Sequence, residues 1–218
     1  MTDVADTTTE LDDTARGTGA SAGRGPIEWL FGSWLIVAGA IGELAAFVLT
    51  LEKLASLADP DHTAACDINR LVQCSANLGS WQGEVFGFPN PIVGLLGWMA
   101  PIVVGFALLA GARFARWFWM LFNLGMAGAL TFVIWLISQS IFELGTLCPW
   151  CLVTWSVTIP TFFAVTFRNL AAGVFGGDAP VRRLGATLQT WIVPITLLCF
   201  GVIVLIAQLE LDVFTRLG

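Results

Sequence analysis

The 218-residue chain has no tyrosine, one histidine, one lysine and few charges of either sign, with 12% of its residues charged. Without tyrosine, no phenolic hydroxyl exists anywhere to donate a hydrogen bond or a proton. The single histidine, His62, sits between Asp61 and Thr63 and reads as a solvated loop residue rather than a base or a metal ligand. The basic residues are scattered, so there is no basic patch of the kind that binds nucleic acid. The N-terminal stretch lacks a basic start followed by an apolar core, which excludes a cleavable signal peptide. The net charge of −6 points to no partner, because five acidic residues fall within the first 13 positions.

What fills the chain is apolar: 56% of residues are hydrophobic and the mean hydropathy is +0.80. These values indicate an all-α, multi-spanning membrane protein. Five segments are long enough to cross a hydrocarbon core, at about residues 30–51, 91–110, 117–138, 149–167 and 191–209. Tryptophans 117, 119, 150, 155 and 191 near the span ends fit an interfacial belt. Trp81, Phe86 and Phe88, set among glycines, read as a segment that dips into the interface. Glu43 interrupts the first span, and an ionisable residue there is a candidate for function by default.

Basic residues set the orientation. With five spans, Arg16, Arg24, Arg113, Arg116, Arg168, Arg182 and Arg183 fall on one side, and Lys53, Arg70 and Arg216 on the other. Seven against three places the N-terminus in the cytosol. The polar loop between the first two spans then faces outward, as does the start of the fourth span.

Those two outward places carry four of the five cysteines. Cys66 and Cys74 lie in the loop with seven residues between them, and Cys148-Pro149-Trp150-Cys151 opens the fourth span. Thiols three residues apart share one face of a helix turn. Pro149 pre-sets a helix start, so Cys148 falls near the N-cap, where unpaired N–H groups and the helix dipole favour a thiolate. Two pairs on one oxidising side suggest a relay. The loop pair is expected to be exposed enough to meet a soluble protein, while the inner pair sits at the edge of the hydrocarbon, near a lipid-soluble oxidant such as a quinone. Cys199 is mid-span on another helix and stands apart.

The wide pair Cys66 and Cys74, Ser80, and Cys148-x-x-Cys151 at the outer start of the fourth span resemble the vitamin K epoxide reductase family over about residues 30–170. That resemblance implies a four-helix transmembrane bundle as the catalytic core at residues 27–170. A disordered cytosolic tail at 1–26 precedes it, and a cytosolic loop with a fifth transmembrane helix follows at 171–218. It implies that Cys151 reacts with a quinone of the menaquinone, ubiquinone or vitamin K type, and that Cys148 resolves it and takes electrons from Cys74. Cys66 completes the pair that exchanges with a partner. Asn90 matches the residue that hydrogen-bonds a quinone carbonyl, Ser80 is a further marker, and Trp155 stands where animal members usually carry tyrosine. Bacterial homologues are similar in role to the disulfide-forming membrane enzyme DsbB, which implies a separate thioredoxin-fold, DsbA-like partner outside the bacterial inner membrane. No metal is expected.

Three other readings compete. Vitamin K or its epoxide could be the acceptor in a cofactor cycle. Four outward cysteines could hold a structural zinc through four thiolates, although two Cys-x-x-Cys units are the common way to build such a site. A small transporter using Glu43 would show an inverted repeat, and none is evident.

Overall fold

The computed structural model describes residues 26–59 and 61–213. Apart from Pro26, the expected N-terminal tail lies outside the described residues, as does Arg216.

Within hydrocarbon every backbone N–H and C=O must find a partner inside its own segment, so the apolar runs become helices. They are α1 (Pro26–Ala58), α3 (Asn90–Leu109), α4 (Arg116–Ser138), α5 (Pro149–Ala171) and α7 (Ile192–Leu211). All five are long and apolar enough to cross a membrane. Two short elements lie between α1 and α3: α2 (Ser75–Gly79) and a 3-10 turn (Trp81–Glu84). The remaining helix, α6 (Ala179–Thr190), lies in the stretch expected to be a loop. It docks on the end of α5, where Arg182 Nε donates to the Ala171 carbonyl over 3.3 Å. The fold class expected from the sequence is therefore the one observed.

Prolines mark the helix starts as their geometry demands. Each of α3, α5 and α6 carries one in its first two positions, where a missing N–H costs nothing. Helix α1 packs chiefly on α3 and also on α5, and α5 joins α4 to the bundle. Glycine lets α1 and α3 approach closely: a Cβ on Gly105 would lie 2.7 Å from the Gly32 carbonyl oxygen and from Ile36 Cγ1. Toward the far end of the bundle, fully buried Asn169 donates to the Trp119 carbonyl and to Asn123 Oδ1, both over 3.2 Å. Arg168 stacks its guanidinium 3.9 Å from the Trp119 ring.

The first helix runs seven residues beyond the span read from hydropathy. The extension is amphipathic, and it turns Lys53 inward rather than into solvent. Lys53 is buried, donates to the Leu78 carbonyl over 2.7 Å and pairs with Glu84 at 2.7 Å. What the sequence presents as a long loop is thus a cap, tied to the bundle by one buried cation.

Candidate functional site

Backbone pairing brings the two cysteine motifs together. Helix α4 unwinds into a wide turn at Gln139–Leu144, which Gly145 terminates in the left-handed region at φ 64°. The chain then passes Thr146 and Leu147 in extended form. Leu147 N–H donates to the Leu71 carbonyl over 2.7 Å, and Gln73 N–H donates to the Leu147 carbonyl over 3.1 Å, a parallel bridge. That register delivers Cys74 and Cys148, the next residues along, to one point. Asn77 Nδ2 reinforces it by donating to Thr146 Oγ1 over 2.9 Å, and Ser140 Oγ donates to the Thr146 carbonyl.

Cys66 and Cys74 form a disulfide. Cys148 and Cys151 are free thiols. The Cys148 Sγ lies 3.2 Å from the Cys74 Sγ, and both residues are 0% exposed. Cys66 is also buried, at 8% exposed, which corrects the expectation of an exposed loop pair. The cap folds over the disulfide because Leu49, Ala64 and Leu78 pack around it. The loop disulfide is therefore reached from outside only if the cap opens.

Cys148 is the N-cap of α5, with an extended backbone before Pro149. A hydrogen bond from the Cys151 thiol holds its own thiol below the ordinary range, helped by the N–H groups of Cys151 and Trp150. Burial and the charge of Asp67 act the other way and are outweighed. The N-cap expectation drawn from Pro149 corresponds to this geometry, while the shift comes first from the Cys151 thiol and only then from the N–H groups of the helix start.

Asp67, which sequence reasoning passed over, organises the loop. Its Oδ1 accepts the N–H of Cys74 over 2.6 Å and of Ser75 over 3.1 Å, capping α2 from seven residues upstream. Burial pushes its carboxyl up, but the Ser75 side chain, the two N–H groups and nearby His62 together hold it below the usual carboxylate range. Only the Asx-like position of an aspartate between two cysteines hinted at this. His62, read as solvated, instead bonds Glu52 at 2.9 Å, and the second Glu52 oxygen accepts the Ala65 N–H.

A cavity of about 1060 Å³ lies under the cap, walled largely by apolar residues of α3 and α4 and reaching Cys151, Trp155 and Thr158 on α5. Asn90 and Ser80 line it too. The Asn90 amide is engaged at both ends, its Nδ2 donating to the Gln82 carbonyl over 2.6 Å and its Oδ1 accepting the Val85 N–H over 3.1 Å. Ser80 Oγ donates to the Asn77 carbonyl over 2.8 Å. Both residues hold the cap in shape as well as facing the cavity. Trp155, one helical turn past Cys151, is buried in the core with Val133, Ile137 and Leu211. Among the polar lining residues that the sequence did not single out, Gln82 donates through Nε2 to Gln139 Oε1 over 3.3 Å. Nothing in the sequence distinguishes these glutamines from ordinary residues at a membrane interface.

Glu43 and Cys199 lie away from this assembly. Glu43 borders a separate, smaller cavity with Ala40 and Ile102, and one of its oxygens is buried without a hydrogen-bond partner. Cys199 is a free, half-buried thiol on α7 and does not line the main cavity.

Residues 33–166 match the model of the Vitamin K epoxide reductase family. No curated protein matches the chain. The matched span starts in α1, ends in α5 and contains both cysteine pairs and the cavity.

Proposed function

Because the chain belongs to the vitamin K epoxide reductase family and is a multi-pass membrane thiol oxidoreductase, we propose that it oxidises a thioredoxin-fold, DsbA-like protein and passes the electrons to a quinone. One observation supports this reading above the others: the Cys74 and Cys148 sulfurs sit 3.2 Å apart between a loop disulfide and a free Cys-x-x-Cys. Thiol–disulfide exchange needs that approach and little else.

The relay balances as follows. A thiolate of the reduced partner attacks the Cys66 sulfur, Cys74 leaves as a thiolate, and the partner's second thiol resolves the mixed disulfide. Cys74 then attacks Cys148 of an oxidised Cys148–Cys151 pair and releases Cys151. Cys66 attacks Cys74, restoring the loop disulfide and releasing Cys148. Two electrons have now moved inward, and the loop is oxidised while Cys148 and Cys151 are reduced, which is the pairing seen here. Release of Cys148 is eased because its thiol titrates below the ordinary range, and a less basic sulfur leaves faster.

The cavity's residues fit a quinone. Its volume, about 1060 Å³, suits a ring with part of a prenyl tail, its wall is apolar, and Cys151 borders it. Such a ring supplies an acceptor for two electrons and two protons. Cys151 would present the reacting sulfur, giving up its thiol proton as it attacks, Trp155 would hold the ring's edge, and Asn90, Gln82 and Gln139 the polar end. Ser80 would act by fixing the cap. Without tyrosine, a hydrogen bond to the ring at the Trp155 end would come from the indole N–H or from the neighbouring Thr154 and Thr158 hydroxyls.

Arginine-rich loops support a cytosolic N-terminus in a bacterial inner membrane, with the cap and both cysteine pairs facing outward. The matched residues 33–166 fall inside the proposed core at 27–170, with a tail at 1–26 and an appended segment at 171–218. Replacing Cys151 by Ser should abolish quinol formation from a small dithiol, read by quinone absorbance. Unchanged turnover in that variant would reject the assignment.

A further inference from the structure

We propose that the reduced cap is a binding site for one thiophilic divalent cation of the zinc type, built from the thiolates of Cys66, Cys74 and Cys148 and the carboxylate of Asp67. The ligand atoms of Cys66, Asp67 and Cys74 all lie within 4.8 Å of one another. Cys148 adds a third sulfur, 3.2 Å from that of Cys74. A tetrahedral metal with metal–sulfur bonds of about 2.3 Å holds its sulfurs about 3.8 Å apart, so the Cys74–Cys148 pair must open by about 0.6 Å, and reduction must let the Cys66 and Cys74 sulfurs part to the same separation.

The oxidised loop offers no such site, since a disulfide sulfur carries no thiolate. Reduction frees two thiols beside a third that is already free. The chemistry of the fourth donor is also right. Asp67 supplies a carboxylate oxygen beside the two loop sulfurs. It is oriented by the N–H groups of Cys74 and Ser75, which act as the outer layer that fixes a metal ligand. Cys74 and Cys148 are fully buried, and Cys66 nearly so, as in closed coordination sites. A spacing of seven residues between Cys66 and Cys74 looks unsuited to zinc in the sequence. The fold removes that objection, because the loop doubles back on Asp67 and the backbone bridge imports Cys148.

Binding would displace thiol protons and leave every sulfur in its reduced state. It would also occupy both sulfurs of the Cys74–Cys148 handover, so the cation would act as a reversible inhibitor that senses the reduced enzyme. The site needs only a reduced loop, which a chemical reductant provides. It therefore stands or falls independently of the quinone and of the partner protein.

The test uses the full chain in detergent, reduced with a phosphine, freed of reductant under anaerobic conditions and titrated with Co²⁺ as the spectroscopic probe. One cobalt per chain, with thiolate-to-cobalt charge transfer and intense tetrahedral d–d bands displaced by Zn²⁺, is the expected result. The oxidised chain should show neither. Cys66→Ser and Cys148→Ser should each weaken binding about tenfold or more, and so should Asp67→Asn, which keeps an oxygen for the Cys74 N–H and thereby the fold. Cys151→Ser should bind as the parent does. No tetrahedral cobalt in the reduced chain, equal binding by the oxidised chain, or binding indifferent to Asp67→Asn would overturn the proposal. Loss of binding in Cys151→Ser would overturn it as well, by moving the site to the Cys-x-x-Cys.

Discussion

Removing the carboxylate of Asp67 should loosen the cap without touching a sulfur. Two N–H groups, those of Cys74 and Ser75, converge on its Oδ1 at 2.6 and 3.1 Å. A helix cap is worth about 1 kcal/mol and a hydrogen bond to a charged group about 1.5–3 kcal/mol. Asp67 is only half-buried, and water would replace part of what is lost. A net cost of about 2 kcal/mol is therefore reasonable for Asp67→Ala, which converts to an increase of roughly 30-fold in the open cap population. Asp67→Asn keeps an uncharged acceptor and should cost about half as much. Amide hydrogen exchange at Cys74 and Ser75 reads this directly, since both N–H groups must leave Oδ1 to exchange.

Acid should imitate the substitution, and the sign follows from the direction of the shift. Asp67 titrates lower in the folded chain than when free. Its stabilisation is thus fully present above the ordinary carboxylate pKa and lost as pH falls through the folded value. Protection at Cys74 and Ser75 that is the same in Asp67→Ala as in the parent would refute the assignment of Asp67 as the loop's cap.

Two further outcomes follow from the same geometry. Cys66→Ser should block oxidation of a thioredoxin-fold partner far more than oxidation of a small dithiol able to reach the inner pair, and equal losses in a paired turnover assay would count against a shuttle. Gly105→Ala should destabilise the bundle by about 1–3 kcal/mol, because the added methyl meets the Gly32 carbonyl and Ile36 at 2.7 Å; an unshifted thermal unfolding transition in detergent would show that α1 and α3 separate without penalty.

The five spans were legible in the sequence because hydropathy reports the solvent a helix sits in, and lipid leaves the backbone no alternative to helix. The cysteine motif at the head of α5 was legible too, since Pro149 fixes both the helix start and the position of Cys148. The cap was harder to read. Its order comes from single polar contacts between residues far apart in the chain, such as Lys53 with Leu78 and Asn77 with Thr146. A polar stretch in sequence carries no mark of which side chain will be buried. The same reason explains why Cys66 looked exposed and is not, and why His62 looked solvated and is bonded to Glu52. Helix α6 was missed because its mean hydropathy is low: Val181, Leu184 and Leu188 share one face while Arg182 and Arg183 lie off it, so hydropathy alone registers a polar loop.

Whether electrons cross between Cys74 and Cys148 can be measured most directly by disulfide mapping. In a chain carrying both Cys66→Ala and Cys151→Ala, each remaining partner loses its alternative, and mild oxidation should link Cys74 to Cys148 in a single cross-linked peptide visible by mass spectrometry. Two sulfurs already 3.2 Å apart need to close by only about 1.1 Å to bond. Recovery of Cys74 and Cys148 as separate free thiols under conditions that fully oxidise the parent loop would contradict the relay.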